Sequence, residues 1–112
     1  MKERPDANER VAVIAVSGRL DGKRCGDLER ELKQLLDRGR KHIALNLEKL
    51  EYISSAGLRV LLSAAKTLSQ TEGTIKLAHL QPQVKDVFDL TGLTDLFEIS
   101  PDIEQCLQSF QP

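Results

Sequence analysis

Short apolar segments alternate with amphipathic helical segments along the chain, and this alternation constrains the fold more than any other feature. Val11–Val16, His42–Leu47 and Thr74–Ala78 have the length and apolar content of buried strands. Between them, apolar residues recur at the helical interval and mark the buried sides of two helices: Leu28, Leu32, Leu35 and Leu36 in the first, Leu58, Leu61, Leu62, Ala65 and Leu68 in the second. Right-handed crossovers between such strands predict an α/β fold with an at least partly parallel sheet.

Turn and cap residues predict where the other elements begin and end. A loop is expected over Arg19–Lys23, with Asp21-Gly22 as its turn. Gly39, Gly73 and Gly92 are expected to end helices or follow them, and Pro82 suits the first turn of a helix. A short last strand is expected over Leu96–Ile99. Ser100 is expected to cap a final helix with Pro101 at its first position, and the predicted buried side of that helix is Ile103, Cys106, Leu107 and Phe110.

Size and charge narrow the class of protein. A chain of 112 residues fits one domain over residues 1–112, with residues 1–10 as an edge strand or a flexible tail. The net charge of −1 does not indicate electrostatic binding to nucleic acid or to an anionic membrane. The charged start lacks the apolar core of a signal peptide, and the longest apolar run, Val11–Val16, is too short to cross a bilayer. We therefore expect a cytoplasmic protein with no membrane insertion.

Two adjacent serines, Ser54 and Ser55, precede the second apolar-faced helix, expected from about Ala56 to Ser69. Serine is a preferred helix N-cap, and a cap needs only one hydroxyl, so the pair supplies a spare. The unpaired amides of a helix's first turn favour negative charge, so a phosphate placed there is compatible with the helix. Ala56 and Gly57 are small, which predicts that a partner or a kinase can approach the helix start closely.

The segment Ile53–Leu58 resembles the central motif of the STAS domain family, which includes the anti-sigma factor antagonists. Val16–Asp21 resembles the exit of that family's first strand, and Val84–Leu93 resembles its late helix. The three segments follow one another in the family's order over nearly the whole chain. The resemblance implies an α/β fold of STAS type, a single domain with a mixed, partly parallel four- to five-stranded sheet packed with about four helices.

The resemblance also implies a function and a site. Ser55 occupies the family's phosphorylated position, and Ser54 is the alternative because it stands where the family often has an acidic residue. The implied partner-binding residues are Asp21, Ser54, Ser55, Ala56, Gly57, Leu58 and Arg59. The implied partners are an anti-sigma factor of the serine-kinase type, bound by the unphosphorylated form and released on phosphorylation, and a serine phosphatase. No cofactor is implied, and the oligomeric state stays open between a monomer and a weak dimer.

Two of these residues also have simpler interpretations. Asp21 orders a turn before Gly22, or contacts a partner while Ser55 is unmodified. Arg59 is a solvated helix charge, or it pairs with a phosphate or with an acidic patch on a partner. A different class of function is a STAS subunit that braces the ATPase of a phospholipid or solvent transporter and is not phosphorylated.

The sequence does not favour catalysis or metal binding. A hydrolase elbow has glycines two places on either side of its serine, and here those places hold Ile53 and Gly57. His42 and His79 are the only histidines, and neither has a recognisable orienting partner. Cys25 and Cys106 lack metal-ligand spacing and are expected to be reduced thiols, with a disulfide between them as the minor alternative. No P-loop motif is present.

Overall fold

A computed structural model describes the backbone of Lys2 and Glu3 and all of residues 11–110. The strands are β1 (Lys2–Glu3), β2 (Ala12–Ala15), β3 (Gly18–Leu20), β4 (His42–Asn46), β5 (Leu50–Ile53), β6 (Thr74–Ala78) and β7 (Glu98–Ser100). The α-helices are α1 (Cys25–Asp37), α2 (Ser55–Ser69), α3 (Pro82–Leu90) and α4 (Ile103–Gln108), and Leu93–Leu96 forms a 3-10 turn.

Five strands form one mixed sheet in the order β1-β2-β4-β6-β7. The β2–β4, β4–β6 and β6–β7 pairs are parallel, and β1 runs antiparallel to β2. This confirms the predicted STAS-type α/β architecture with a partly parallel sheet. Of the two alternatives for the first ten residues, an edge strand is present at Lys2–Glu3, and Met1 and residues 4–10 lie outside the described residues.

β3 and β5 form a separate two-stranded parallel ribbon. β5 was not predicted, and β3 covers Arg19 and Leu20, which were expected to lie in a loop. Both strands are too short for an alternating pattern to be visible in the sequence. The ribbon brings the chain directly to the start of α2.

The two faces of the main sheet carry different cores. Ile14, Leu45 and Leu77 face the larger core, which is covered by the apolar sides of α1, α2 and α3. Val13, Ala44 and Ala78 face the opposite way and pack against α4, where Cys106 is fully buried. Side chains along a strand alternate between faces, so each central strand contributes to both cores.

One buried lysine connects α4 to the sheet. The ammonium of Lys76 on β6 donates to the carbonyl and hydroxyl of Ser109 at 2.8 and 3.0 Å, and it lies 3.0 Å from Glu98 Oε2. It also lies 4.6 Å from the centre of the Phe110 ring. We call Lys76, Glu98, Ser109 and Phe110 the α4 anchor.

Several predicted element ends are confirmed and two are wrong. Gly39 and Gly92 follow helices with left-handed φ values of 79° and 76°, and Pro82 is the first residue of α3. The last strand begins at Glu98, because Leu93–Leu96 coils into the 3-10 turn. Ser100 belongs to that strand and does not cap α4, and Pro101 precedes the helix, whose first residue is Ile103. Asp102 is the cap, and its carboxylate accepts from the backbone N–H of Gln105 at 2.8 Å.

Candidate functional site

The start of α2 is fastened to the end of β3. The parallel β3–β5 pairing sets Leu20 opposite Ile53, and the backbone N–H of Ser54 then donates to the carbonyl of Leu20 at 3.0 Å. The chain after Leu20 therefore lies next to the first turn of α2. The loop containing Asp21 thus lies beside the serine helix, although the two are far apart in sequence.

Ser54 is the N-cap of α2. Its backbone is extended, with φ −89° and ψ 170°, and its hydroxyl accepts from the backbone N–H of Gly57 at 3.2 Å. The same hydroxyl donates to the carbonyl of Leu20 at 3.1 Å. The predicted capping role of Ser54 is confirmed. Its one donor and one of its lone pairs are therefore occupied within the protein.

Ser55 is the first residue of α2 and is exposed to solvent. Within the described part of the chain its hydroxyl makes no hydrogen bond, and the first turn of α2 carries no acidic residue. The amide dipoles of α2 point their positive end toward this position, so a phosphate here would be stabilised rather than repelled by the helix. The two serines are adjacent, but Ser54 is half-buried with its hydroxyl hydrogen-bonded, whereas Ser55 is exposed and its hydroxyl makes no hydrogen bond within the described residues.

Gly57 and Leu58 lie beneath this surface rather than on it. Gly57 is buried, and a Cβ built on it would lie 2.9 Å from Ile53 Cγ1 and 3.1 Å from the carbonyl oxygen of Leu20. Leu58 is 6% exposed and belongs to the larger core. The small size of Gly57 thus serves the packing of α2 on β3, and its part in the approach of a partner stays a prediction. Ala56 is half-buried against the same core. We call Leu20, Ser54, Ser55 and Gly57 the serine junction.

Asp21 orders the turn that leads into α1. Its carboxylate accepts from the backbone N–H groups of Lys23 and Arg24, each at 3.2 Å, and its carbonyl accepts from Cys25 N at 2.9 Å. The interpretation of Asp21 as a turn residue is therefore confirmed. The side chain remains half-exposed next to the serine junction, so its contact with a partner stays a prediction.

Arg59 is exposed one turn beyond Ser55. Residues four apart lie on the same side of a helix, so its guanidinium projects from the side that carries Ser55. It forms no ion pair within the described residues. Of the predicted surface residues, Ser55 and Arg59 thus face solvent, and Asp21, Ser54 and Ala56 lie at its half-buried border.

A neighbouring pair of side chains was missed by the sequence reasoning. Arg19 on β3 lies opposite Tyr52 on β5, and its guanidinium carbon is 4.2 Å from the centre of the tyrosine ring. Tyr52 is 39% exposed. Only the β3–β5 register brings these residues together. The sole signal in the sequence was a tyrosine three places before the predicted phosphorylation site.

Other candidate chemistry does not assemble within the described residues. His42 packs edge-on against Phe110, His79 is exposed, and neither hydrogen-bonds to a serine hydroxyl. Cys25 and Cys106 are buried free thiols, and burial raises the pKa of Cys106 to about 11. No group of three or more histidine, cysteine or acidic side chains suited to a metal ion occurs among residues 11–110.

In the part of the chain that the structure describes, no helix combines the length and apolar character needed to span a membrane.

Comparison with known proteins identifies the family. The STAS domain model matches residues 4–106, and the chain belongs to this family. It is 34% identical over 111 residues to the Bordetella bronchiseptica protein named "Putative anti-sigma factor antagonist BtrV", covering 99% of this chain and 96% of that one. It is 29% identical over 91 residues to the anti-sigma-B factor antagonist of Staphylococcus aureus, covering 81% of this chain and 84% of that one.

Solved structures share the fold at lower identity. A Thermotoga maritima protein, TM1081, superposes with a TM-score of 0.89 at 21% identity, covering 96% of this chain and 92% of that one. The anti-sigma factor antagonist SpoIIAA in its unphosphorylated form gives a TM-score of 0.80 at 22% identity, covering 96% and 94%. Its phosphorylated form from Bacillus gives 0.77 at 20% identity, covering 98% of both chains.

Proposed function

We propose that this protein is an anti-sigma factor antagonist that works as a phosphorylation-controlled binding switch in the cytoplasm. The unphosphorylated protein binds an anti-sigma factor of the serine-kinase type, and this frees the sigma factor for transcription. Phosphorylation of Ser55 by that kinase releases the complex, and a serine phosphatase restores the binding form. The protein is a substrate and a ligand in this cycle and performs no catalytic turnover. The names of the two sequence relatives support this class of function.

The observation that carries the proposal is the contrast between two adjacent hydroxyls. Ser54 Oγ is held between the carbonyl of Leu20 and the amide of Gly57, whereas Ser55 Oγ is exposed and makes no hydrogen bond within the described residues. A kinase that modified Ser54 would have to break the bond from its hydroxyl to the Leu20 carbonyl and disturb the cap of α2. Ser55 can be modified without disturbing either, so we assign phosphorylation to Ser55.

The physical effect of the phosphate falls on the interface rather than on the fold. Phosphorylation adds about −1.5 to −2 charges at pH 7. The N-terminus of α2 stabilises that charge within the protein. Burying it unpaired against a partner would cost on the order of 3–5 kcal/mol, which corresponds to a loss of affinity of about 150- to 4,000-fold. A micromolar complex would then dissociate.

The serine assignment is tested by incubating the protein with its cognate kinase and ATP and measuring the intact mass. Wild type and Ser54→Ala should gain one phosphate, and Ser55→Ala should gain none. Incorporation that persists in Ser55→Ala and vanishes in Ser54→Ala would move the assignment to Ser54.

The switch is tested by pull-down from the native cytosol. Wild type should recover the anti-sigma factor, and Ser55→Asp should recover much less of it. Ser63→Asp is the matched control, because Ser63 is an exposed serine on the same helix, two turns farther from its start. Equal recovery by wild type and Ser55→Asp would contradict the switch. A transporter ATPase recovered by both would instead favour the passive STAS subunit.

A further inference from the structure

We infer that Arg19 and Tyr52 form a second docking element for the same partner, and that the partner meets it with a carboxylate-bearing surface. This inference rests on the proposed function, because it extends the surface around Ser55 onto the β3–β5 ribbon. The juxtaposition of an exposed arginine and an exposed tyrosine on two strands that end at the serine junction is the observation behind it.

The location of the pair makes it continuous with the predicted binding surface. Tyr52 lies three residues before Ser55, and the carbonyl of Leu20, next to Arg19, accepts the two hydrogen bonds that Ser54 donates. Three residues of extended chain span about 10 Å. A protein that contacts Ser55 with an interface of ordinary size, roughly 800 Å² on each side, would also cover this pair.

The pair is pre-organised for binding. The guanidinium of Arg19 stacks on the tyrosine ring at 4.2 Å, so both side chains are held on the surface rather than sampling many rotamers. Tyr52 is one of three large apolar or aromatic residues, with Leu90 and Leu96, that are exposed within the described residues. Tyrosine and arginine are enriched among the residues that dominate interface energies, and side chains already ordered lose less entropy on binding.

Charge indicates the chemistry of the partner. Asp21 and Glu51 are the acidic residues nearest to the pair along the two strands, and neither comes within ion-pair distance of Arg19. Arg19 has no ion pair among the described residues. Its charge is therefore available to an incoming carboxylate. The same carboxylate-bearing surface would be repelled by a phosphate on Ser55. One partner chemistry thus accounts for attraction before phosphorylation and release after it.

The test measures the affinity of each variant for the purified cognate anti-sigma factor by titration calorimetry at two salt concentrations. Tyr52→Ala should weaken binding at least about 10-fold, and Arg19→Glu by a similar factor or more. Arg19→Gln should weaken it by about 3- to 10-fold and should reduce the salt dependence, which mere loss of packing would not do. Lys66→Gln and Leu90→Ala, exposed on other surfaces, should stay within about 2-fold of wild type.

The outcomes separate this inference from the proposed function. If Ser55→Asp weakens binding while the Arg19 and Tyr52 variants match their controls, the docking element is overturned and the switch stays intact. Wild type failing to bind the anti-sigma factor would overturn both. Variants that lose only self-association, measured by analytical ultracentrifugation, would overturn the inference by showing that a second copy of the chain is the occupant. If circular dichroism shows that the Tyr52→Ala variant is unfolded, the Arg19→Gln variant decides the question, because Arg19 is exposed.

Discussion

The α4 anchor and the serine junction both place polar groups where helices meet the strands, but they use those groups differently. In the α4 anchor, the three donors of the Lys76 ammonium are directed at Ser109 O, Ser109 Oγ and Glu98 Oε2, and the side chain is 11% exposed. In the serine junction, Ser54 is occupied in the same way, and Ser55 beside it is left open to solvent.

The difference shows which polar groups are structural. A short helix such as α4 has little stability of its own, so a cation bonded to the carbonyl of its C-cap residue, Ser109, compensates for its length. α2 is longer and packs on the main core, so one hydroxyl is enough to cap it. The second hydroxyl, that of Ser55, then takes no part in the cap and is left exposed. Satisfied polar groups hold the fold, and the unsatisfied one next to them is the candidate for regulation.

The distinction between the two regions would be wrong if loss of the α4 anchor affected the binding of the partner at the serine junction. Lys76→Ala should lower the free energy of unfolding by about 2–3 kcal/mol, because the Ser109 carbonyl loses its donor and the packing of the lysine chain disappears. Lys76→Met should lower it less, since its chain still fills the space. Denaturant unfolding measures both. The difference in partner affinity between wild type and Ser55→Asp should be the same in the Lys76→Met background, and a reduced difference would show that the two regions are coupled.

The substitution Gly57→Ala tests the packing at the serine junction. The added Cβ would meet Ile53 Cγ1 at 2.9 Å and the Leu20 carbonyl at 3.1 Å, so α2 must shift from β3. We expect a loss of about 1–2 kcal/mol, although alanine favours a helix interior by about 1 kcal/mol over glycine. Gly22→Ala is the control, because nothing lies within 4 Å of its Cβ position. Equal stability of the two variants would contradict the close approach of α2 to β3.

The two serines should differ in stability as well as in modification. Ser54→Ala should cost about 1 kcal/mol, since both the cap to Gly57 and the bond to Leu20 are lost. Ser55→Ala should change the unfolding free energy by less than about 0.5 kcal/mol, as expected for an exposed side chain without partners. Denaturant unfolding of the two variants in parallel checks the order. A larger loss for Ser55→Ala would mean that its hydroxyl, and not that of Ser54, caps the helix.

Much of the main sheet could be predicted because its strands are apolar and its helices carry regular leucine patterns. Residues such as Ile43, Leu45 and Leu77 are buried by their own character, and the glycines at 39 and 92 end helices through local backbone geometry. β3 and β5 could not be predicted, because strands of three and four residues show no period and exist only through pairing with each other. Ser100 was predicted to cap α4, but Asp102 immediately precedes that helix and is its cap.

The residues of the candidate site also divide into those that the local sequence predicts and those that only the tertiary structure brings together. A serine cap could be predicted from the sequence, because capping depends on residues within one turn, whereas Ser55 was singled out by the resemblance of Ile53–Leu58 to the STAS motif. The burial of Gly57 and the contact between Arg19 and Tyr52 depend on the β3–β5 register, which joins segments more than thirty residues apart, such as Ser54 and Leu20 at a separation of 34. Local patterns therefore indicate the serine pair, and only the tertiary structure reveals the surface around it.

The smallest expected effect concerns the exposed member of the α4 anchor. The pKa of Glu98 is held below its ordinary value of 4.5, first by the hydrogen bond from Lys76 and then by that from Ser109. A carboxyl with a lower pKa in the folded than in the unfolded state stabilises the fold above the unfolded value, and that contribution is lost as the pH falls through the folded value. The side chain is 55% exposed, so solvent screening keeps the contribution well under about 1 kcal/mol.

This effect is measured as the difference in unfolding free energy between wild type and Glu98→Gln across a pH series at constant salt. The difference should be constant from about pH 7 to about pH 5 and should shrink below about pH 4.5, where the unfolded carboxyl becomes protonated. Glu104→Gln is the control, because Glu104 is exposed on α4 and forms no ion pair within the described residues. A difference that persists unchanged under acidic conditions would mean that Glu98 contributes through packing, leaving Ser109 and Phe110 as the partners through which Lys76 holds α4.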